Sequence, residues 1–139
     1  MDAFNQYFLD VIKNHYVDFD GRASRKQYWM FVLFNILISI ALNIVTGILG
    51  SIADFFALIG SLAGVLISLA LLLPGIGIAA RRLHDTGKSG WLLLLAFIPL
   101  VHLVLLYFMI LEGDSGSNEY GPDPLDPYAD DLSAPLESY

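Results

Sequence analysis

Three stretches without a charged residue set the limits on how this chain can fold. Lys26 is followed by 27 uncharged residues before Asp54, Asp54 by 26 before Arg81, and Lys88 by 23 before Glu112. About 20 apolar residues let a helix cross the hydrocarbon core of a bilayer. A soluble chain of 139 residues has no core large enough to hide three such helices. The sequence therefore reads as an all-α integral membrane protein with three transmembrane helices, an N-terminal amphipathic interfacial helix and a disordered acidic tail. Its 15% of charged residues, against roughly 25% in an ordinary soluble domain, points the same way.

The net charge of −7 belongs to one end. Residues 1–111 hold all seven Lys and Arg with six acids, and residues 112–139 hold eight acids and no base. That pattern gives no basic surface for nucleic acid. With no cysteine there is no disulfide, thiolate chemistry or Cys-ligated metal. The opening Met1-Asp2, without a basic n-region, does not read as a cleavable signal.

Phe4, Tyr7, Phe8, Val11, Ile12 and Tyr16 recur at spacings of three and four, so residues 2–20 read as an amphipathic helix. Its aromatic stripe suits either the membrane interface or the protein's own loops. Ser24-Arg25-Lys26-Gln27 is a capping box that opens a first span over about 25–48. A second box, Ser51-Ile52-Ala53-Asp54, opens a span over 53–80, with a kink expected at Pro74. Thr86-Gly87 supplies a stop, and Ser89 can cap a third span over 90–111, which has Pro99 near its middle. The membrane domain is then 21–112. The Pro-rich acidic segment 113–139 follows and is expected to be mostly disordered after 124.

Lys13, Arg22, Arg25 and Lys26 precede the first span, and Arg81, Arg82 and Lys88 lie between the second and third. The positive-inside rule puts both groups in the cytoplasm, and three crossings then put the tail outside, periplasmic or extracellular. Pro99 also permits a re-entrant hairpin, which would keep the tail cytoplasmic.

The densest polar cluster is Arg81-Arg82-Leu83-His84-Asp85-Thr86-Gly87-Lys88-Ser89. Gly87-Lys88-Ser89 is not a phosphate-binding loop, because Arg82 stands where that motif needs glycine and no strand precedes it. Neighbouring His84 and Asp85 rarely reach the geometry of an acid–base pair, so neither catalytic residue nor cofactor is expected. The candidate site for lipid or partner is Arg22, Arg25, Lys26, Arg81, Arg82, His84, Asp85 and Lys88. Basic residues at a cytoplasmic face attract anionic headgroups at roughly 1 kcal/mol each.

Within the spans, Asn35, Ser39, Asn43 and Gly47 share one helix face, and Gly60, Gly64 and Ser68 another. His102 stands alone in the third. These residues serve either helix packing or a polar intramembrane path.

Gly21-Arg22-Ala23-Ser24-Arg25-Lys26-Gln27-Tyr28-Trp29, then Arg81 through Trp91, then Asn118-Glu119-Tyr120-Gly121-Pro122-Asp123-Pro124 resemble three signatures of one group. They are those of the domain of unknown function 805 family, small bacterial inner-membrane proteins, and the resemblance covers roughly residues 4–124. It implies location and fold class but no activity and no catalytic residue. It also implies order from Asn118 to Pro124. If all three signatures form one site, the tail is cytoplasmic and the third segment re-entrant. The leading expectation is an accessory or scaffold protein, with no enzymatic activity and no metal, whose basic motifs contact anionic lipid or a partner protein. The alternative is a homo-oligomeric channel or transporter subunit using Asn35, Ser39, Asn43 and His102.

Overall fold

A computed structural model describes residues 2–126. The expected disorder after residue 124 lies almost wholly outside the described residues. Those residues are helical with no β-strand, apart from one isolated antiparallel bridge between Asn118 and Gly121. They divide into two compact units. One takes the chain up to Asp18 together with Trp29–Gly77, and the other takes Phe19–Tyr28 together with the chain from Ile78 onward.

In the first unit, helix α1 covers residues 2–14, with π-helical geometry over Asn5–Leu9. Its aromatic stripe packs on the protein. Phe8 is buried and stacks on Phe4 and Phe31 at centroid distances of 5.2 Å, and Phe4 meets Phe34 edge-on. Tyr16 donates its hydroxyl to the Ala70 carbonyl at 2.6 Å.

Helices α2 (Arg25–Gly50) and α3 (Asp54–Asp85) are each long and apolar enough to cross a membrane. The first capping box forms as the sequence requires. The Gln27 amide donates to Ser24 Oγ at 3.2 Å, and the Ser24 amide donates to Gln27 Oε1 at 2.8 Å. Ser51 behaves differently, donating its hydroxyl backwards to the Ile48 carbonyl at 2.6 Å, on the outgoing turn of α2. α3 runs unbroken through Pro74 to Asp85, five residues beyond the expected end at 80. It ends in a Schellman motif, in which the Lys88 amide donates to the Leu83 carbonyl and the Gly87 amide to the His84 carbonyl. Gly87 sits at φ +73°, the left-handed conformation this cap needs.

The span expected over 90–111 is not one helix. Gly90–Phe97 is a 3₁₀ helix, capped by Ser89 Oγ accepting from the Trp91 amide, and α4 is His102–Ile110. Pro99 lacks the N–H that would continue a ladder. Leu100 follows at φ +65° while the Val101 amide donates to the Pro99 carbonyl at 2.8 Å, a γ-turn. Among the described residues, two membrane-length helices are therefore found where three were expected.

Candidate functional site

The second unit gathers the three signatures, except Trp29, which belongs to the first unit. At its centre Asp85, the last residue of α3, lies between two arginines. Arg22 Nε donates to one carboxylate oxygen at 3.0 Å and Arg82 Nη1 to the other at 2.6 Å. Arg22, Arg82 and Asp85 are all buried, and Arg82 completely so. Burying charges costs several kcal/mol each unless every donor and lone pair is engaged, and here the chain's own backbone engages them.

Arg22 Nη1 reaches the carbonyls of Gly116 at 2.5 Å and Gly121 at 3.3 Å, and Nη2 those of Asp114 at 2.5 Å and Asp85 at 3.4 Å. Arg82 Nε donates to the Met109 carbonyl at 3.2 Å, Nη1 to that of Ala23 at 3.4 Å, and Nη2 to that of Leu111. The two guanidinium groups thus clamp the end of α4 and the chain that follows it. The Asp114 amide closes the clamp by donating to the Asp85 carbonyl at 2.6 Å. A Cβ on Gly113 would collide with the Asp85 carboxylate, so only glycine lets the chain pass there.

His84 faces the third signature. Its Nδ1–H donates to the Gly21 carbonyl at 3.0 Å, and its ring stacks on Tyr120 at 4.0 Å and 1° from parallel. Asn118 Nδ2 donates to the His84 carbonyl at 2.8 Å and to Asp114 Oδ2 at 3.0 Å. Asp123 accepts from the amides of Leu125 at 2.9 Å and Gly116 at 3.0 Å. The Leu125 amide first, then Gly116 and the Arg22 charge, hold its carboxyl below the ordinary value.

The remaining predicted cations differ in exposure. Arg81 is buried, and its carbonyl accepts from the Ala23 amide at 2.9 Å. Arg25 is exposed, 3.8 Å from Glu112 and 3.3 Å from the Ile110 carbonyl. Lys26 is exposed. Lys88 Nζ donates to the Thr86 carbonyl at 3.3 Å and lies 4.8 Å from the centre of the Phe108 ring. Sequence reasoning selected this basic set but left out Gly113, Asp114, Asn118, Gly121 and Asp123. The third signature was the signal that could have drawn most of them in, and nothing local marked Gly113 or Asp114.

The intramembrane polar residues do not form one group within a unit. Asn35, Ser39 and Asn43 belong to the first unit and His102 to the second. Ser39, Asn43 and His102 are exposed in the chain by itself, and Asn43 Nδ2 donates to the Ser39 carbonyl at 2.7 Å, within its own helix.

A helical protein with two membrane-length apolar helices and a buried Arg–Asp–Arg cluster is thereby defined. The model of the family described as "Protein of unknown function (DUF805)" matches residues 16–122, and the chain belongs to that family. It is similar to inner membrane protein YhaI of Escherichia coli strain K12, with 47% identity over 120 residues, covering 86% of this chain and 95% of that one. Inner membrane protein YhaH of the same strain is 40% identical over 120 residues, covering 85% and 95%. No solved structure matches the chain.

Proposed function

We propose that this protein is a multi-pass inner-membrane accessory or scaffold protein that presents a fixed polar platform to a partner protein on the cytoplasmic side. The relatives' names and the two apolar helices support the location, and the positive-inside rule, applied to the basic residues of the first two signatures, supports a cytoplasmic side for them. One observation carries the role: Arg22 and Arg82 are consumed in holding Asp85 and the chain's own backbone. Their charges organise a surface and are not offered to a headgroup.

The surface so built carries both signs. Arg25, Lys26 and Lys88 share their unit with Glu112, Asp114, Glu119 and Asp123. Alternating charge suits a protein partner, where complementary potentials fix register, better than a uniformly anionic bilayer surface. Reversing Arg81 and Arg82 would unfold the unit, so the informative change is Arg25→Glu with Lys26→Glu. Purification from native membrane in mild detergent, followed by mass measurement of the intact complex, is expected to show a second protein at fixed stoichiometry. The double variant should lose that protein while keeping its own helical signal. A complex containing only this chain and lipid would overturn the proposal.

A further inference from the structure

We infer that residues 90–111 form a re-entrant hairpin whose tip, Phe97 to Leu100, inserts among the acyl chains of one leaflet. The carboxyl segment then returns to the side that carries the basic motifs. This rests on the membrane location proposed above and adds the surface that meets lipid.

Both ends of the segment lie against the same turn of α3. A Cβ on Gly90 would stand 3.1 Å from Ala80 Cβ and 3.3 Å from His84 Nε2. At the other end Arg82, in that turn, takes the Met109 and Leu111 carbonyls. A crossing helix would separate its ends by the full thickness of the bilayer, about 30 Å of hydrocarbon alone. This segment goes out and comes back.

The arms have the reach of half a bilayer. Eight residues of 3₁₀ helix, Gly90–Phe97, rise about 16 Å at roughly 2 Å per residue. The nine residues of α4 return about 14 Å at 1.5 Å each. The reversal is made by Pro99, which has no N–H to strand in lipid, and by the γ-turn at Leu100, which gives the Val101 N–H a partner. No charge lies between Lys88 and Glu112.

The tip exposes the side chains that lipid would cover. Phe97 is 85% exposed and Leu100 76%, with Ile98 and Pro99 exposed between them. Trp91, 80% exposed, stands near the base, at the depth where an indole with one wet edge is favoured. One occupant, the acyl chains of the leaflet that the base enters, accounts for the reach, the apolar tip and the aromatic base together.

The chain has no cysteine, so single cysteines report cleanly. Full-length Lys26→Cys, Ser115→Cys, Phe97→Cys and Ile98→Cys chains would be exposed to a membrane-impermeant maleimide in right-side-out and inverted vesicles. Lys26→Cys and Ser115→Cys are expected to label from the same side. Phe97→Cys and Ile98→Cys are expected to stay at the background of the cysteine-free chain from either side. A fluorophore attached at either tip position after detergent solubilisation and reconstitution should be quenched by brominated acyl chains. Labelling of Lys26→Cys and Ser115→Cys from opposite sides would overturn the hairpin in favour of a third crossing. Tip cysteines that label freely from water would remove lipid as the occupant, as would disulfide-linked dimers through the tip, which would name a second copy. Release of the wild-type chain by carbonate washing would overturn the membrane location itself, an outcome separate from all of these.

Discussion

Asp85 and Glu112 are both carboxylates facing arginine, yet removing their interactions has unequal consequences. Glu112 is 86% exposed at its side chain and meets an Arg25 that is half exposed. Such a pair contributes about 0–1 kcal/mol, because water screens it and two long side chains lose freedom to form it. Asp85 is buried between Arg22 and Arg82, whose side chains are 1% and 0% exposed. Asp85→Ala leaves two guanidinium groups facing a void without their counter-charge, and breaking a buried pair costs about 3–5 kcal/mol. The expected order of thermal stability in detergent, followed by intrinsic Trp fluorescence, is therefore wild type near Arg25→Ala, with Asp85→Ala far below both. Equal losses for the two variants would show that the cluster is solvated and that its burial contributes nothing.

Among the elements, what could be read in the sequence was whatever a local pattern determines. The Ser24–Gln27 box, the stop at Thr86-Gly87, the Ser89 cap and two membrane-length helices follow from side chains within a few residues of one another. The third segment misled because hydropathy counts apolar residues and is blind to the direction of the chain. Pro99 alone is compatible with a kinked crossing, and the left-handed Leu100 that turns the chain back leaves no mark in composition. Arg22 stood out as basic, but its backbone acceptors at Asp114, Gly116 and Gly121 lie far along the chain, where no spacing rule reaches. The turn itself supplies a test. A leucine at φ +65° is strained by roughly 1 kcal/mol, a cost that glycine does not carry. Leu100→Gly should therefore keep or raise stability by a fraction of that figure. In a straight spanning helix the same change would cost about 1 kcal/mol. A lowered melting temperature of that size, read by circular dichroism, would return the segment to a helix.

At the scale of the whole chain, burial is distributed the opposite way from a soluble domain. Arg22, Arg81, Arg82 and Asp85 are buried, while Ile36, Ile44, Leu62 and Leu66 are each more than half exposed. In water the exposed apolar faces would be unfavourable, since apolar area gains by leaving solvent. With hydrocarbon around the exposed faces, the remaining polar demand falls on one place, and the carboxyl segment meets it. Three of the four carbonyls that satisfy Arg22, at Asp114, Gly116 and Gly121, come from beyond Leu111. That segment is therefore part of the fold and not an appendage to it. A chain ended after Asp126 keeps all these acceptors, and one ended after Leu111 loses three of them and leaves buried N–H groups unsatisfied, at about 1–3 kcal/mol each. Limited trypsin digestion in detergent separates the two cases, because trypsin requires an accessible Arg or Lys in a locally opened chain. The longer chain and the full chain should both resist cleavage at buried Arg22 and Arg82 and be cut first at exposed Lys26. The shorter chain should be cut at Arg22 and Arg82 as well, seen as new fragments by mass spectrometry. Equal protection in both would mean that the first two signatures hold together without the third, and that the clamp closes on the carboxyl segment without depending on it.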